Sequence, residues 1–356
     1  MYITSSFLLM YYLTLEKSLF ARDKNFIRRL LERSASYVPE AYDTSSLCNV
    51  TFDLGMCPCK RTVLVPLPQG SPGRFASSDE VFRRMKDVFG ESTCGDWATF
   101  RGPGQRVLSY SVYGDFPSEY YTGMDFIVPR ASEVYPGWNV RFYHRLDVSN
   151  ATVKDWICKL ACKYPHFDSC HAERLPVLGN VTKFIGRMWR FATVGDPLVD
   201  RYVLRDSDSP ILQREVDAVN EWLQSGKCFH VMRDHPFHGT FMLAGLWGGC
   251  GDWQRETIRE IRDLIMLTGD RYDADQEGLA VSFARNILWP VAQSNVTIHD
   301  SYFCKSYSGS HPFPSQRVNS DFVGQRSYLK EFRGEKISTE CPVECRPRQH
   351  LDWLYC

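Results

Sequence analysis

The segment RYVLRDSDS, residues 201–209, decides how the chain reads. Apolar Tyr202–Leu204 form a short strand that runs straight into Arg205-Asp206-Ser207-Asp208-Ser209. In open α/β sheets, ligands bind in the crevice beyond the carboxyl ends of the strands. Residues i and i+2 of an extended segment point to the same side, so both carboxylates can approach one cation. Such hard oxygen donors suit Mn²⁺ or Mg²⁺, with phosphate oxygens completing the shell. The structural alternative is a helix start, because Ser209 followed by Pro210 makes a good N-cap for the periodic segment 211–225.

Outward from this point the chain alternates strands and helices. Strands are expected at 107–113, 139–144, 176–181, 201–204, 228–232 and 294–299. Helices are expected at 79–89, 117–133, 150–163, 182–193, 211–225, 252–267 and 275–288. In 211–225, Leu212, Val216, Val219 and Leu223 share one face. Such alternation predicts an α/β fold with a mainly parallel, mixed sheet flanked by helices. The expected organisation is a signal, anchor or stem segment at 1–34, a Cys-rich irregular preface at 35–103, a catalytic domain at 104–305 and a Cys-bearing tail at 306–356.

The whole chain has 356 residues with 42 basic and 42 acidic side chains, so its net charge is zero. That balance excludes the basic footprint of a nucleic-acid binder and of a polybasic membrane-surface protein. Thirteen cysteines and four N-x-T sequons, at Asn49, Asn150, Asn180 and Asn295, point to the secretory pathway: ER or Golgi lumen, or secretion. The Cys57-Pro-Cys59 spacing is too tight for a zinc knuckle, which leaves disulfides. Residues 2–14 (YITSSFLLMYYLT) read either as a signal or membrane-anchor segment or as an ordinary amphipathic helix, since no Lys or Arg precedes them.

Two further stretches carry chemistry-bearing residues. VMRDHPFHG (231–239) sets Arg233, Asp234, His235 and His238 at the end of the next strand, and GLWGGCG (245–251) follows, read as a Gly-rich loop that lets backbone approach a ligand closely. Trp247 offers a flat wall to a sugar or base, or packs in the core. His235 and His238 have no third zinc ligand nearby, so a surface or hydrogen-bonding role suits His238. Asp275 opens a helix, where an acid also serves as a cap. His299 ends the last strand as a third metal ligand or a satisfied loop histidine.

Together these motifs resemble the GT-A-fold, nucleotide-sugar-dependent glycosyltransferases, and more closely a group within them marked by R-D-x-D-S, M-R-D-H-P, G-G-x-W-G, D-Q, W-P and H-D-S. Here they stand as Arg205–Ser209, Met232–Pro236, Gly245–Gly248, Asp275-Gln276, Trp289-Pro290 and His299–Ser301. SYSVYGD (109–115), YPGWNVRFYH (135–144) and FVGQ (322–325) fit the same pattern, which spans roughly 105–325. Gly245-Leu246-Trp247 departs from it, and it does not explain the Cys-rich ends. The resemblance implies a metal-dependent transferase moving a sugar from a nucleotide-sugar donor to a glycan, glycoprotein or glycolipid. Asp206 and Asp208 would bind Mn²⁺ and the diphosphate, with His299 as third ligand. Asp234 or Asp275 would act as general base or hold the acceptor. Arg205 and Arg233 would clamp phosphate oxygens, or else pair with a neighbouring aspartate. The competing classes are a non-catalytic carbohydrate-binding protein on the same fold, and a metal-dependent phosphoryl- or nucleotidyl-transferase, for which no Gly-rich phosphate cradle is present.

Overall fold

The computed structural model describes residues 47–66, 77–267, 275, 288–332 and 334–356. The expected 1–34 segment and nearly all of the expected 275–288 helix, Gln276 included, lie outside them. Among the described residues no helix is long and apolar enough to cross a membrane.

The main sheet contains β3 (Gln105–Val112), β4 (Trp138–His144), β5 (Phe167–His171), β6 (Val199–Asp206), β7 (Phe229–Arg233), β8 (Leu246–Cys250), β9 (Val296–Asp300) and β10 (Ser310–His311). Their order is β10-β9-β7-β8-β6-β3-β4-β5. All pairings are parallel except those of β8, which runs antiparallel to β6 and β7. The fold is thus mixed α/β with a mostly parallel sheet. After β3 the chain winds outward through β4 and β5, then returns to place β6 on the other side of β3. The switch point therefore falls between β3 and β6, where a crevice opens at the strands' carboxyl ends.

Strand alternation divides the core. Tyr202 and Leu204 pack on one face with Trp189, Phe191, Trp247, Ile258 and Ile261. Val203 points to the other, where Leu108, Tyr110, Phe142, Ile157, Val219 and Trp222 cluster. Helices α3 (Glu119–Val134), α4 (Ala151–Lys163) and α5 (Gln213–Gln224) supply that second face. A 3₁₀ helix (Gly186–Thr193) and α6 (Arg255–Leu267) supply the first, and short α7 (Leu288–Ala292) lies before β9.

The preface is more regular than its composition suggests. β1 (Leu47–Asp53) and β2 (Lys60–Pro66) form an antiparallel hairpin. It packs through Val50 and Val65 on Val81 and Met85 of α1 (Ser78–Phe89) and on Phe100 of α2 (Asp96–Phe100). The hairpin turn presents Cys57 and Cys59 to Cys158 and Cys162, one turn apart on α4, and both pairs are disulfides. Cys94 is bonded to Cys170 on β5. By the loop-entropy estimate, one crosslink closing about 100 residues contributes about 4–5 kcal/mol; the first two close nearly the same loop and do not simply add. Arg61 completes the junction by donating to the carbonyls of Ala161 and Tyr164 at the end of α4, groups a helix leaves unpaired, and to that of Phe167 at the start of β5. Cys228–Cys250 ties β7 to β8, and Cys304–Cys345 and Cys341–Cys356 organise the tail. Six disulfides are the chemistry of an oxidising, secretory-type compartment. Asn49, Asn150 and Asn180 are exposed, whereas Asn295 is partly buried and its Oδ1 accepts from the Cys228 amide.

Four local expectations change. Residues 176–181 form a turn closed by Leu175 and Gly179, with Val177 at φ 67°; the strand is instead Phe167–His171. Segment 182–193 is 3₁₀ from Gly186, not an α-helix. Helix α5 starts at Gln213 with Leu212 as its cap residue, so Ser209 caps nothing. The Gly-rich 245–251 segment is not a loop but strand β8. A Cβ on Gly248 would lie 2.7 Å from the Tyr202 carbonyl oxygen, which is why glycine stands there.

Candidate functional site

Asp206 is the last residue of β6, and the chain turns through Ser207 and Asp208 immediately after it. Two glycines let the surrounding elements close on this turn. A Cβ at Gly123 of α3 would collide with the Ser207 carbonyl, and one at Gly245 would collide with the Asp206 carboxylate. Beside the turn, the 3₁₀ helix is pinned onto β3. Ser109 Oγ donates to the Arg190 carbonyl at 2.8 Å, and Ser111 Oγ accepts from the Arg190 amide at 2.6 Å. The buried Arg190 guanidinium is thereby aimed at the strand ends. It donates to the Asp206 carboxylate, to the Arg205 carbonyl at 3.1 Å and to Asp275 Oδ2 at 2.9 Å. Arg187, one turn earlier, donates to the Tyr113 hydroxyl at 2.9 Å and stands 4.0 Å from Asp275.

These residues line a cleft of about 520 Å³ that includes Asp206, Asp208, Asp275, Tyr120, His238 and Arg326. A second cleft of about 890 Å³, over the carboxyl ends of β3, β4 and β5, shares Tyr113 with it and adds Asp115, Arg145, Arg174 and Trp189. Both volumes fall in the range of small-molecule sites.

The two carboxylates of the D-x-D turn differ. Desolvation opposes the charge on Asp206, but Arg190, aided by Arg205 and Arg187, overrides it and holds the pKa below the usual carboxylate value. Its side chain remains 47% exposed. Asp208 is buried, and desolvation together with the charge of Asp206 pushes its pKa up to about 6. Two repelling oxygen donors facing one cleft fit a hard divalent cation. Among the described residues no cluster of three ligating side chains includes either aspartate, so water and ligand oxygens would fill the remaining positions. His238 contributes a polar edge. Its Nδ1 accepts from the Asp234 amide at 3.1 Å, and burial, helped by His235, lowers its pKa to about 3. The neutral ring therefore carries its proton on Nε2, a donor rather than a metal ligand.

Of the residues expected from sequence, Asp206, Asp208 and Asp275 meet at this cleft. His238 lines it too, in a hydrogen-bonding role, whereas Arg205, Arg233, Asp234, Trp247 and His299 do not. Arg205 points to the opposite face of β6, buried and paired with Glu215 at 2.7 Å. Arg233 is buried against Asp300 at 2.8 Å and also donates to the Phe241 carbonyl, so neither arginine clamps phosphate. Asp234 is wholly enclosed. It accepts from Arg317 at 2.7 Å, Ser301 at 2.6 Å, Arg214 at 3.1 Å and the Val323 amide at 2.9 Å. Burial opposes its charge, yet the two arginines hold its pKa low, and it lines neither cleft, so it meets no incoming hydroxyl. Trp247 is fully buried between Tyr202 and Phe191 and walls no cleft.

His299 is not a third ligand to the D-x-D pair. Strands β7 and β8 stand between β9 and β6, and three inter-strand steps of about 4.8 Å separate them by roughly 14 Å. Its ring faces α5 instead, bonded to His230 at 2.8 Å, and burial holds its pKa below the usual histidine value. Arg187 and Arg190 were not anticipated. Their one signal is the pair of arginines at i, i+3 in GRMWRF, which reads as core until the 3₁₀ geometry is known.

No protein-family model matches the chain, and no curated protein does. Among solved structures it is similar to one described as a "crystal structure of a glycosyltransferase involved in the glycosylation of the major capsid of PBCV-1". That match has 13% identity and a TM-score of 0.30, covering 56% of this chain and 84% of that one. Likeness at this level establishes neither activity nor ligand.

Proposed function

We propose that the protein is a metal-dependent glycosyltransferase of GT-A type, taking a sugar from a nucleoside-diphosphate donor to a hydroxyl of a glycan, glycoprotein or glycolipid. The observation that carries this reading is the D-x-D turn at the β3/β6 switch point, opening on one cleft with Asp275 and adjoining a second through Tyr113. In this reading the second cleft takes the nucleoside and the first takes the diphosphate and sugar. Asp206 and Asp208 would hold Mn²⁺ or Mg²⁺, which when bound offsets the charge of the departing diphosphate. Arg187 and Arg326, at the cleft wall, suit the phosphate oxygens that Arg205 and Arg233 cannot reach. Arg190 keeps Asp206 ionised and holds Asp275 in place. Asp275 is then the carboxylate that positions the acceptor hydroxyl or takes its proton as the new bond to the anomeric carbon forms. The disulfides and exposed sequons suit work in the ER or Golgi lumen, or after secretion.

The test is a panel of nucleotide sugars with Mn²⁺, following release of nucleoside diphosphate. One donor is expected to be turned over, and metal chelation to stop it. No release from any donor, by protein with an intact melting transition, would remove the enzyme reading and favour a non-catalytic carbohydrate-binding protein.

A further inference from the structure

On the α5 face of the sheet, well away from the D-x-D cleft, three ligating side chains from distant parts of the chain converge. Glu221 extends from α5, His299 from β9 and His311 from β10, and one ligand atom of each lies within 4.8 Å of the others. His299 Nε2 stands 3.5 Å from Glu221 Oε2, and His311 Nε2 stands 3.4 Å from Glu221 Oε1. Both ring nitrogens are buried and neither makes a well-formed hydrogen bond, their near partner being the Glu221 carboxylate, although the His311 and Glu221 side chains are 37% and 45% exposed. Nitrogens so poorly paired in such a place are costly unless something else fills their lone pairs. We propose that Glu221, His299 and His311 form a Zn²⁺ site with its fourth position open to solvent.

The geometry matches the ion. Tetrahedral Zn²⁺ with bonds of about 2.0–2.1 Å sets neighbouring ligand atoms about 3.3 Å apart, close to the two histidine–glutamate separations of 3.5 and 3.4 Å. Two imidazoles and a carboxylate also suit Zn²⁺ better than Mg²⁺ or Ca²⁺, which favour all-oxygen shells. The outer partners are in place. With Nε2 of His299 on the metal, its Nδ1 carries the proton and donates to His230 Nε2 at 2.8 Å, which fixes the tautomer as such partners do. His230 in turn stacks on Trp222 of α5, with ring centroids 5.3 Å apart and planes at 11°. Phe313 packs against the His299 ring at 5.4 Å. The ion would join α5 to the β9–β10 edge of the sheet.

The experiment titrates Zn²⁺ into full-length, metal-stripped protein, with bound metal read by elemental analysis and coordination by the visible spectrum of the Co²⁺-substituted form. His311→Ala and Glu221→Gln alter partly exposed side chains, and Asp208→Asn controls for the other site. One Zn²⁺ per chain is expected, with a four-coordinate Co²⁺ spectrum. Affinity should fall by more than the roughly 10–100-fold that outer-shell changes cause when either ligand is replaced, and should be unchanged by Asp208→Asn. A folded protein that takes up no Zn²⁺, or one whose binding survives both ligand substitutions, would overturn the assignment and leave only a histidine–glutamate ion pair.

Discussion

Arg205-Asp206 and Arg233-Asp234 are the same dipeptide at the same place, the carboxyl end of a sheet strand, yet the fold treats them oppositely. Asp206 receives one arginine, Arg190, and keeps nearly half its side chain exposed in a cleft. Asp234 receives Arg214 and Arg317, a serine and a backbone amide, and is sealed. The difference lies in what covers each strand end. The tail, through Ser315, Arg317 and Val323, closes over Asp234, whereas the elements packed against the turn after Asp206 meet it through Gly123 and Gly245, which bring no side chain onto it. An acidic residue at a strand end is thus a site only where its neighbours leave its lone pairs unspent.

The largest separation between the two should come from removing each carboxylate. Asp208→Asn is expected to lower nucleoside diphosphate release by about 10³-fold, equivalent to about 4 kcal/mol of transition-state stabilisation, with little change in melting temperature. Asp234→Ala should do the reverse. Stranding Arg214 and Arg317 in the interior is expected to cost about 3–5 kcal/mol in urea unfolding, with any activity loss following the loss of folded protein. Equal stability losses for the two variants would erase the distinction drawn here.

A smaller effect should follow from Gly245→Ala. The added methyl must push the Asp206 carboxylate aside, so turnover should fall by roughly 10²-fold through misplacement. Its Mn²⁺ requirement should shift to higher concentration, read from the metal dependence of the rate. Normal activity in this variant would mean that the position of Asp206 is not critical.

The smallest expected effect is on pH. In metal-free protein the Asp208 pKa is raised to about 6, so the fold favours its protonated form; that stabilisation is present at low pH and is lost as pH rises from about 4 through 6. A metal must displace this proton. Mn²⁺ affinity should therefore fall about tenfold per pH unit below 6 and level off above it, measured by calorimetric titration. Asp208→Asn should abolish the binding that carries this slope, while Asp234, whose pKa is held low, should contribute none in the same range.

Much of this architecture was legible in the sequence because short apolar runs mark strands buried on both faces and a 3.6-residue apolar period marks the helices that cover them. β3, β4, β6, β7 and β9 and the helices α3 to α6 declare themselves in that way, and with them the position of the D-x-D turn. β5 was missed because FDSCH intersperses polar residues that the structure pairs, such as Asp168 with Arg101. β8 was missed because its glycines answer to the bulk of Tyr202 and Trp222 on neighbouring elements, which a local pattern does not carry. The site divided in the same manner. Asp206, Asp208 and Asp275 followed from strand ends and residue type. Arg190, the group that joins them, and the separation of His299 from them depend on strand order and on the face each side chain takes.

The central claim is that the Asp206–Asp208 turn holds a divalent cation together with a nucleoside diphosphate. Its most direct test is electron paramagnetic resonance of Mn²⁺ titrated into protein that carries one equivalent of Zn²⁺ and no excess, in the presence of nucleoside diphosphate. The wild type should quench the free-Mn²⁺ signal at one equivalent per chain, and Asp208→Asn should leave that signal undiminished beyond what the nucleotide alone binds. Identical quenching by the two proteins would contradict the claim.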